Sequence, residues 1–233
     1  MNINIRRATN VDIPFLGWVM YTASLSHLQR CPWSAILDEP EQETRNLLEK
    51  VARSSQMHWC HSSKFWIADV DGKPAAALCG FTPATENTLA LANAALCVAA
   101  DELGYSESKM AGISERLEIA LSGLPEDLPT VWGVENVAVL PEYRGKGLVD
   151  RLLTRVLEEG MEHGFKHAQI LCLIGNERAE RVWIRNGFKV QHQQTSKAFE
   201  ALMGCPGTKL LARDLLPGKT TTSAAYKESI DAA

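Results

Sequence analysis

The chain has 233 residues, 45% of them apolar and 22% charged, with a formal net charge of -4. That length suits one domain with insertions, or two small ones, and the composition is that of a globular chain with a real core. The mildly acidic balance argues against a strongly basic nucleic-acid footprint and leaves room for a local basic cleft.

Residues 2–7 alternate Ile3 and Ile5 with polar neighbours and predict a first strand. Arg6 and Arg7 follow within a few positions, so the opening does not read as a signal peptide. Thr9 followed by Asp12 predicts a helix start. Ile13, Leu16, Val19 and Met20 then recur at helical spacing, and the helix is expected to reach about Gln29. Cys31-Pro32-Trp33 reads as its break, with a second helix over 40–54. Residues 64–81 predict a hairpin, because Asp71-Gly72 supplies the two positive-φ positions of a type I′ turn.

Residues 82–129 break that rhythm. The stretch 86–103 is rich in Ala and Leu, Gly104 is a natural stop, 107–121 predicts another helix, and Pro125 and Pro129 close the segment. The expectation is a helical insertion between strands 3 and 4, serving as a lid, a homodimer surface or an elaboration. Its apolar run, 89–100, falls short of the roughly 20 residues of a membrane span. The six cysteines are scattered without a CxxC pair and predict reduced thiols in a cytoplasmic protein.

The second half has a stronger pattern. Residues 131–140 predict a strand, 147–161 a helix with one apolar stripe, and 168–174 a strand covered on both faces. Strand, helix, strand in this length is a βαβ unit with a parallel pair. A short helix over 177–185, a strand beginning at Gly187-Phe188 and a last strand over 208–213 follow. The expected organisation is one α/β domain over 1–216, with a polar and mobile tail over 217–233.

Chemistry concentrates in Glu135-Asn136-Val137-Ala138-Val139-Leu140-Pro141-Glu142-Tyr143-Arg144-Gly145-Lys146-Gly147-Leu148. A strand ends, and a loop with two glycines opens a helix whose first N–H groups lack internal partners and lie at the positive end of the dipole. Glycines let backbone approach an anion closely, so the loop reads as a pyrophosphate cradle assisted by Arg144 and Lys146. A Gly-rich turn with solvated charges is the alternative. Neither a P-loop nor a dinucleotide fingerprint is present.

The same run resembles the acetyl-CoA-binding motif of the GNAT superfamily of N-acyltransferases. The resemblance continues through Asn176-Glu177-Arg178-Ala179 and Trp183-Ile184-Arg185-Asn186-Gly187-Phe188, covering about 131–191. It implies a mixed, mostly antiparallel sheet with one splayed parallel pair and flanking helices. It implies acetyl-CoA as co-substrate, with Val137, Ala138 and Val139 along the pantetheine arm. The N–H groups of Arg144, Gly145, Lys146, Gly147, Leu148 and Val149 would lie at the pyrophosphate, and Asn176 and Ala179 at the pantetheine end. The acetyl group would pass directly to an unidentified primary amine, of a small molecule or of a protein, with no metal involved.

Such a transfer needs a proton acceptor for the ammonium, an oxyanion donor and a proton for the leaving thiolate. Glu135 is the candidate base; a strand-end carboxylate in a salt bridge is the alternative. The sequence departs from the family pattern at Trp183, where many relatives carry a tyrosine, and an indole N–H supplies no useful proton. Tyr143 is the substitute candidate acid. Val149 stands where Gly or Ala is frequent. A CoA-binding sensor of the same fold that lacks turnover is the alternative function. His58-Trp59-Cys60-His61 fits no zinc pattern and reads as a surface loop. Trp18, Trp33, Trp59 and Trp66 are candidates for lining an acceptor pocket.

Overall fold

Turn chemistry and alternation build the first half of the sheet. In the computed structural model, which describes residues 1–128 and 130–215, strand β1 (Ile3–Arg7) lies antiparallel to β2 (Phe65–Val70). Strand β2 turns at Asp71 and Gly72, at φ 50° and 80°, into β3 (Lys73–Phe81). Those two positive values are the type I′ signature expected of Asp-Gly. Strand β3 pairs antiparallel with β4 (Trp132–Val139), and β4 runs parallel to β5 (His167–Leu173). Strand β7 (Gly207–Asp214) pairs antiparallel with β5 and with β6 (Lys189–Thr195), giving the order β1-β2-β3-β4-β5-β7-β6. The fold is therefore the expected mixed, mostly antiparallel sheet with one parallel pair.

Helices cover both faces. On one face lie α1 (Ile13–Leu25), α2 (Pro32–Leu37), α3 (Glu41–Val51), α4 (Thr88–Cys97), α5 (Glu107–Leu121) and α8 (Lys197–Met203). Their core includes Leu16, Met20, Leu47, Leu48, Leu91, Ile113 and Phe199. The other face carries α6 (Leu148–Glu162) and α7 (Glu177–Arg185), with Leu152, Leu153, Val156 and Trp183 in its core. Helix α6 buries the single stripe that its sequence predicted.

Several expectations need correction. Helix α1 stops at Leu25, because Ser26 turns to φ 53°. Pro32 starts α2 rather than only breaking a helix: at the first helical position its missing N–H has no partner to lose. Helix α8 was not anticipated; it is seven residues long and capped by Ser196, which accepts from the Phe199 N–H. The His58 segment is no surface loop, since His58 and Cys60 are fully buried. The Cys60 N–H donates to His58 Nδ1 at 3.1 Å, so the ring proton sits on Nε2, facing Ser54 Oγ at 3.1 Å. Burial, reinforced by His61, pushes the His58 pKa down to about 4 and keeps the ring neutral. Pro129 and the tail 217–233 lie outside the described residues.

Candidate functional site

A bulge in β4 organises the site. Cys79 of β3 opposes Glu135 and Ala77 opposes Ala138, so two residues of β4, Asn136 and Val137, face one of β3. Asn136 takes φ 55°, a left-handed conformation that Asn tolerates better than other side chains except Gly. The extra residue shifts the alternation. Trp132 and Val134 belong to the α6 face, and so do Val137 and Val139, three residues on from Val134 instead of two and so out of phase by one. Glu135 and Asn136 are left side by side toward the other face. The Asn136 amide donates to Cys60 Sγ at 3.2 Å and to Cys79 Sγ at 3.8 Å, and Cys79 Sγ donates to the Glu135 carbonyl at 3.3 Å. Two buried thiols thus clasp the bulge.

Beyond the bulge the parallel pair opens. Pairing of β4 with β5 covers Trp132, Val134 and the residue between them, against Ala168, Ile170 and the residue between those. At the next position the Glu135 carboxylate accepts from the Leu171 N–H at 2.8 Å, where sheet backbone would otherwise do so. Burial pushes the Glu135 pKa up to about 8 against that hydrogen bond, with a contribution from the nearby Asp127 carboxylate.

Two cavities meet at this opening. The first, of about 510 Å³, is a groove lined by Val137, Ala138, Val139, Tyr143, Arg144, Gly145, Gly147, Leu148, Val149, Asn176 and Ala179. Eleven of the predicted site residues are therefore brought together on one groove. Lys146 is exposed in the same loop, with its ammonium 4.8 Å from the Tyr143 ring centre. Gly145 and Gly147 take φ 75° and 73°, and a side chain added at either would project into open space. The helical ladder of α6 begins with the Arg151 N–H on the Gly147 carbonyl at 3.2 Å, so the N–H groups of Leu148, Val149 and Asp150 precede it. Arg144 Nε donates to the Val139 carbonyl at 3.4 Å. Arg178, which the sequence reading left without a role, adds positive charge to the same walls, whereas Arg185 there is paired with Asp150 at 2.8 Å. A helix N-terminus, an open glycine loop, Arg144 and Arg178 fit a polyphosphate at one end of an elongated ligand.

The second cavity, of about 250 Å³, is apolar and lies on the α1 side. Trp33 and Trp59 line it, as does Glu135, with Val137, Asn176, Ala179 and Trp183 common to both cavities. Trp18 and Trp66 do not line it. Trp18 stacks on Phe15 at 5.5 Å, and Trp66 lies on the opposite face with its indole N–H on Glu159 at 2.6 Å and Arg7 4.1 Å from its ring centre. Tyr143 lines the groove beside Arg144 but not the apolar cavity that holds Glu135.

Ser26 also borders both cavities, and the sequence reading missed it. Its hydroxyl accepts from the Asn176 amide at 2.5 Å and lies 3.3 Å from His27 Nδ1, while its backbone is held at φ 53°. Asn176 itself caps α7 by accepting from the Ala179 N–H at 3.1 Å. A strained residue at the junction of two cavities has no sequence signature, because its conformation is set by packing.

Among the described residues, no group of three or more His, Cys, Asp or Glu side chains is arranged to hold a metal ion. No helix among them is long and apolar enough to cross a membrane. All six cysteines are free, and Cys97 alone among them is exposed.

Comparisons with known proteins bear on the fold and the family. No curated protein matches the chain by sequence. Among solved structures it is similar to a crystallised acetyltransferase, with a TM-score of 0.63 and 17% identity over 91% of this chain and 100% of that one. It is similar to an N-acetyltransferase from Staphylococcus aureus Mu50, with a TM-score of 0.64 and 18% identity over 90% of this chain and 99% of that one. A PaiA N-acetyltransferase from Thermoplasma acidophilum, crystallised in complex with coenzyme A, gives a TM-score of 0.51 and 12% identity over 92% and 99%. At such identities these likenesses show the fold. The family model described as the acetyltransferase (GNAT) family matches residues 24–188, more than two thirds of the 233. The chain belongs to the GNAT acetyltransferase family.

Proposed function

We propose that this protein is an acetyl-CoA-dependent N-acetyltransferase that acts on a primary amine. The observation that carries this reading is the meeting of the basic groove and the Glu135 cavity at Val137 and Asn176. Acetyl-CoA supplies the activated acyl thioester. The first turn of α6, with Gly145, Lys146, Gly147 and Arg144, would hold its pyrophosphate, and Val137 and Val139 would offer backbone groups to its pantetheine arm. Glu135 would take the proton from the ammonium, and a backbone N–H of the bulge would stabilise the developing oxyanion. Ser26, bound to Asn176 beside the groove, is better placed than Tyr143 to hydrogen-bond the thiolate and relay a proton to it from water. Six free thiols support a reducing, cytoplasmic setting. One sheet running from Ile3 to Asp214 supports a single catalytic domain.

Calorimetric titration of acetyl-CoA into the full chain tests the groove. Wild-type protein should bind saturably. Arg144→Ala should weaken binding about fivefold, the loss of one exposed charge-assisted contact. Gly147→Trp should weaken it at least about tenfold, since the new side chain enters the space left open there and strains a left-handed residue. Folded wild-type protein that binds no acetyl-CoA would sink the proposal. Ser26→Ala should lower kcat roughly tenfold with acetyl-CoA affinity unchanged, the low end of proton-transfer effects. An unchanged kcat would assign the proton to water without Ser26, or to Tyr143.

A further inference from the structure

The walls of the apolar cavity narrow the acceptor, on the reading just given that the site transfers acetyl to an amine. Trp33 and Ile36 come from α2, Leu91 from α4, Leu117 and Leu121 from α5, and Phe199 from α8. The insertion between β3 and β4 therefore contributes to the wall. Among the described lining residues Glu135 is the one acidic or basic side chain. Its position at the opening of β4 and β5 puts the carboxylate at the end of the cavity that meets the groove.

A charge buried without a partner is strongly unfavourable. One ammonium entering this cavity has Glu135 as its partner, and a second cation elsewhere on the ligand would meet only apolar wall. A carboxylate on the ligand would meet the same wall and be repelled by Glu135. The cavity's volume of about 250 Å³ lies just below the usual range of small-molecule sites and suits a small apolar body. An extended acyl tail would also suit the apolar wall, with Glu135 protonated, and a comparison of acyl donors separates it from an amine.

We propose that the acceptor is an apolar monoamine, a primary amine on an aryl or alkyl body with no second charge, seated in this cavity with its nitrogen at Glu135. The insertion is then part of the acceptor site.

The test uses the full-length protein and matched amines. Release of CoA thiol is followed with 2-phenylethylamine against phenylalanine, and with hexylamine against 1,6-diaminohexane and spermidine. The apolar monoamine of each set should have the higher kcat/KM, by about 100-fold over phenylalanine. Equal or better turnover of the amino acid, the diamine or spermidine overturns the acceptor class while leaving amine acetylation intact. A more than tenfold preference for hexanoyl-CoA over acetyl-CoA with one amine would assign the cavity to an acyl chain, and would also overturn it.

Tryptophan fluorescence of the CoA-loaded protein reads amine binding separately, because Trp33 and Trp59 line the cavity. Saturable binding of 2-phenylethylamine without thiol release upholds the ligand class and defeats the transfer reading. Neither binding nor turnover of any apolar amine overturns the proposal. Leu121→Asp changes a cavity residue that is 37% exposed, so folding is preserved, as an unchanged acetyl-CoA affinity will verify. It should lower the hexylamine to 1,6-diaminohexane preference about tenfold by giving the second ammonium a partner. An unchanged preference places the amine elsewhere.

Discussion

Replacing Glu135 by Gln is expected to lower kcat by about 10²–10⁴-fold while leaving acetyl-CoA affinity within about twofold. Gln is isosteric and its side-chain oxygen can still accept from the Leu171 N–H that the carboxylate holds at 2.8 Å. What disappears is the group that accepts a proton, so the loss falls on chemistry rather than on the groove. Steady-state kinetics beside calorimetry separates the two. A fall in acetyl-CoA affinity with kcat unchanged would mean that Glu135 only braces the opening between β4 and β5. If neither protein turns over any amine while both bind CoA, the fold serves as a CoA sensor.

The raised pKa of Glu135 gives this substitution a pH signature. Below about pH 8 the carboxyl of the free enzyme is protonated and cannot serve as base, so activity should rise with pH through that value. The ammonium of the acceptor adds its own rise at higher pH in both proteins, and the difference between wild type and Glu135→Gln isolates the carboxylate. Stability moves the other way. A carboxyl whose folded pKa is raised from 4.5 to about 8 contributes stability in full below 4.5 and loses it as pH climbs through 8. Wild-type protein should therefore lose on the order of 4 kcal/mol relative to Glu135→Gln between pH 5 and 9, as an upper bound. Denaturant unfolding at the two pH values reads this without any turnover. A wild-type loss no larger than that of the variant would show that the carboxyl is not desolvated.

The elements with a repeating signal were legible in the sequence. The α6 stripe, the Asp71-Gly72 turn and the apolar run of β5 each depend on neighbours a few residues away. The glycine loop before α6 was legible for the same reason, and it fixed most of the groove. The acceptor side was not, because its walls come from α2, α4, α5 and α8, whose packing no local pattern encodes. Four tryptophans could not be sorted by sequence; two line the cavity and two do not. Pro32 was read for what it prevents rather than for what it starts. The bulge left a trace that went unused: Trp132 and Val134 resume as Val137 and Val139, out of phase by one residue. An alternation that slips in the middle of a strand is the sequence form of an extra residue.

That slip carries the second large effect. Replacing Asn136 by Val should cost about 2–3 kcal/mol of stability and lower kcat about 100-fold, whereas Asn136→Gly should keep kcat within a few-fold of wild type. A β-branched residue resists the φ of 55° that Asn136 adopts, and Val cannot donate to Cys60 and Cys79. Relief of that strain would draw β4 toward regular pairing with β3. Regular alternation would then turn either Glu135 away from the cavity or Val137 away from the groove, because the bulge is what allows both at once. Glycine adopts the left-handed conformation without strain, so it retains the backbone path while losing the amide clasp. The pair of variants therefore separates conformation from hydrogen bonding. Equal losses of kcat in Val and Gly proteins would assign the role to the amide and its two thiols. A Val variant that loses stability but not kcat would show that the bulge serves folding and that Glu135 holds its place through the Leu171 N–H.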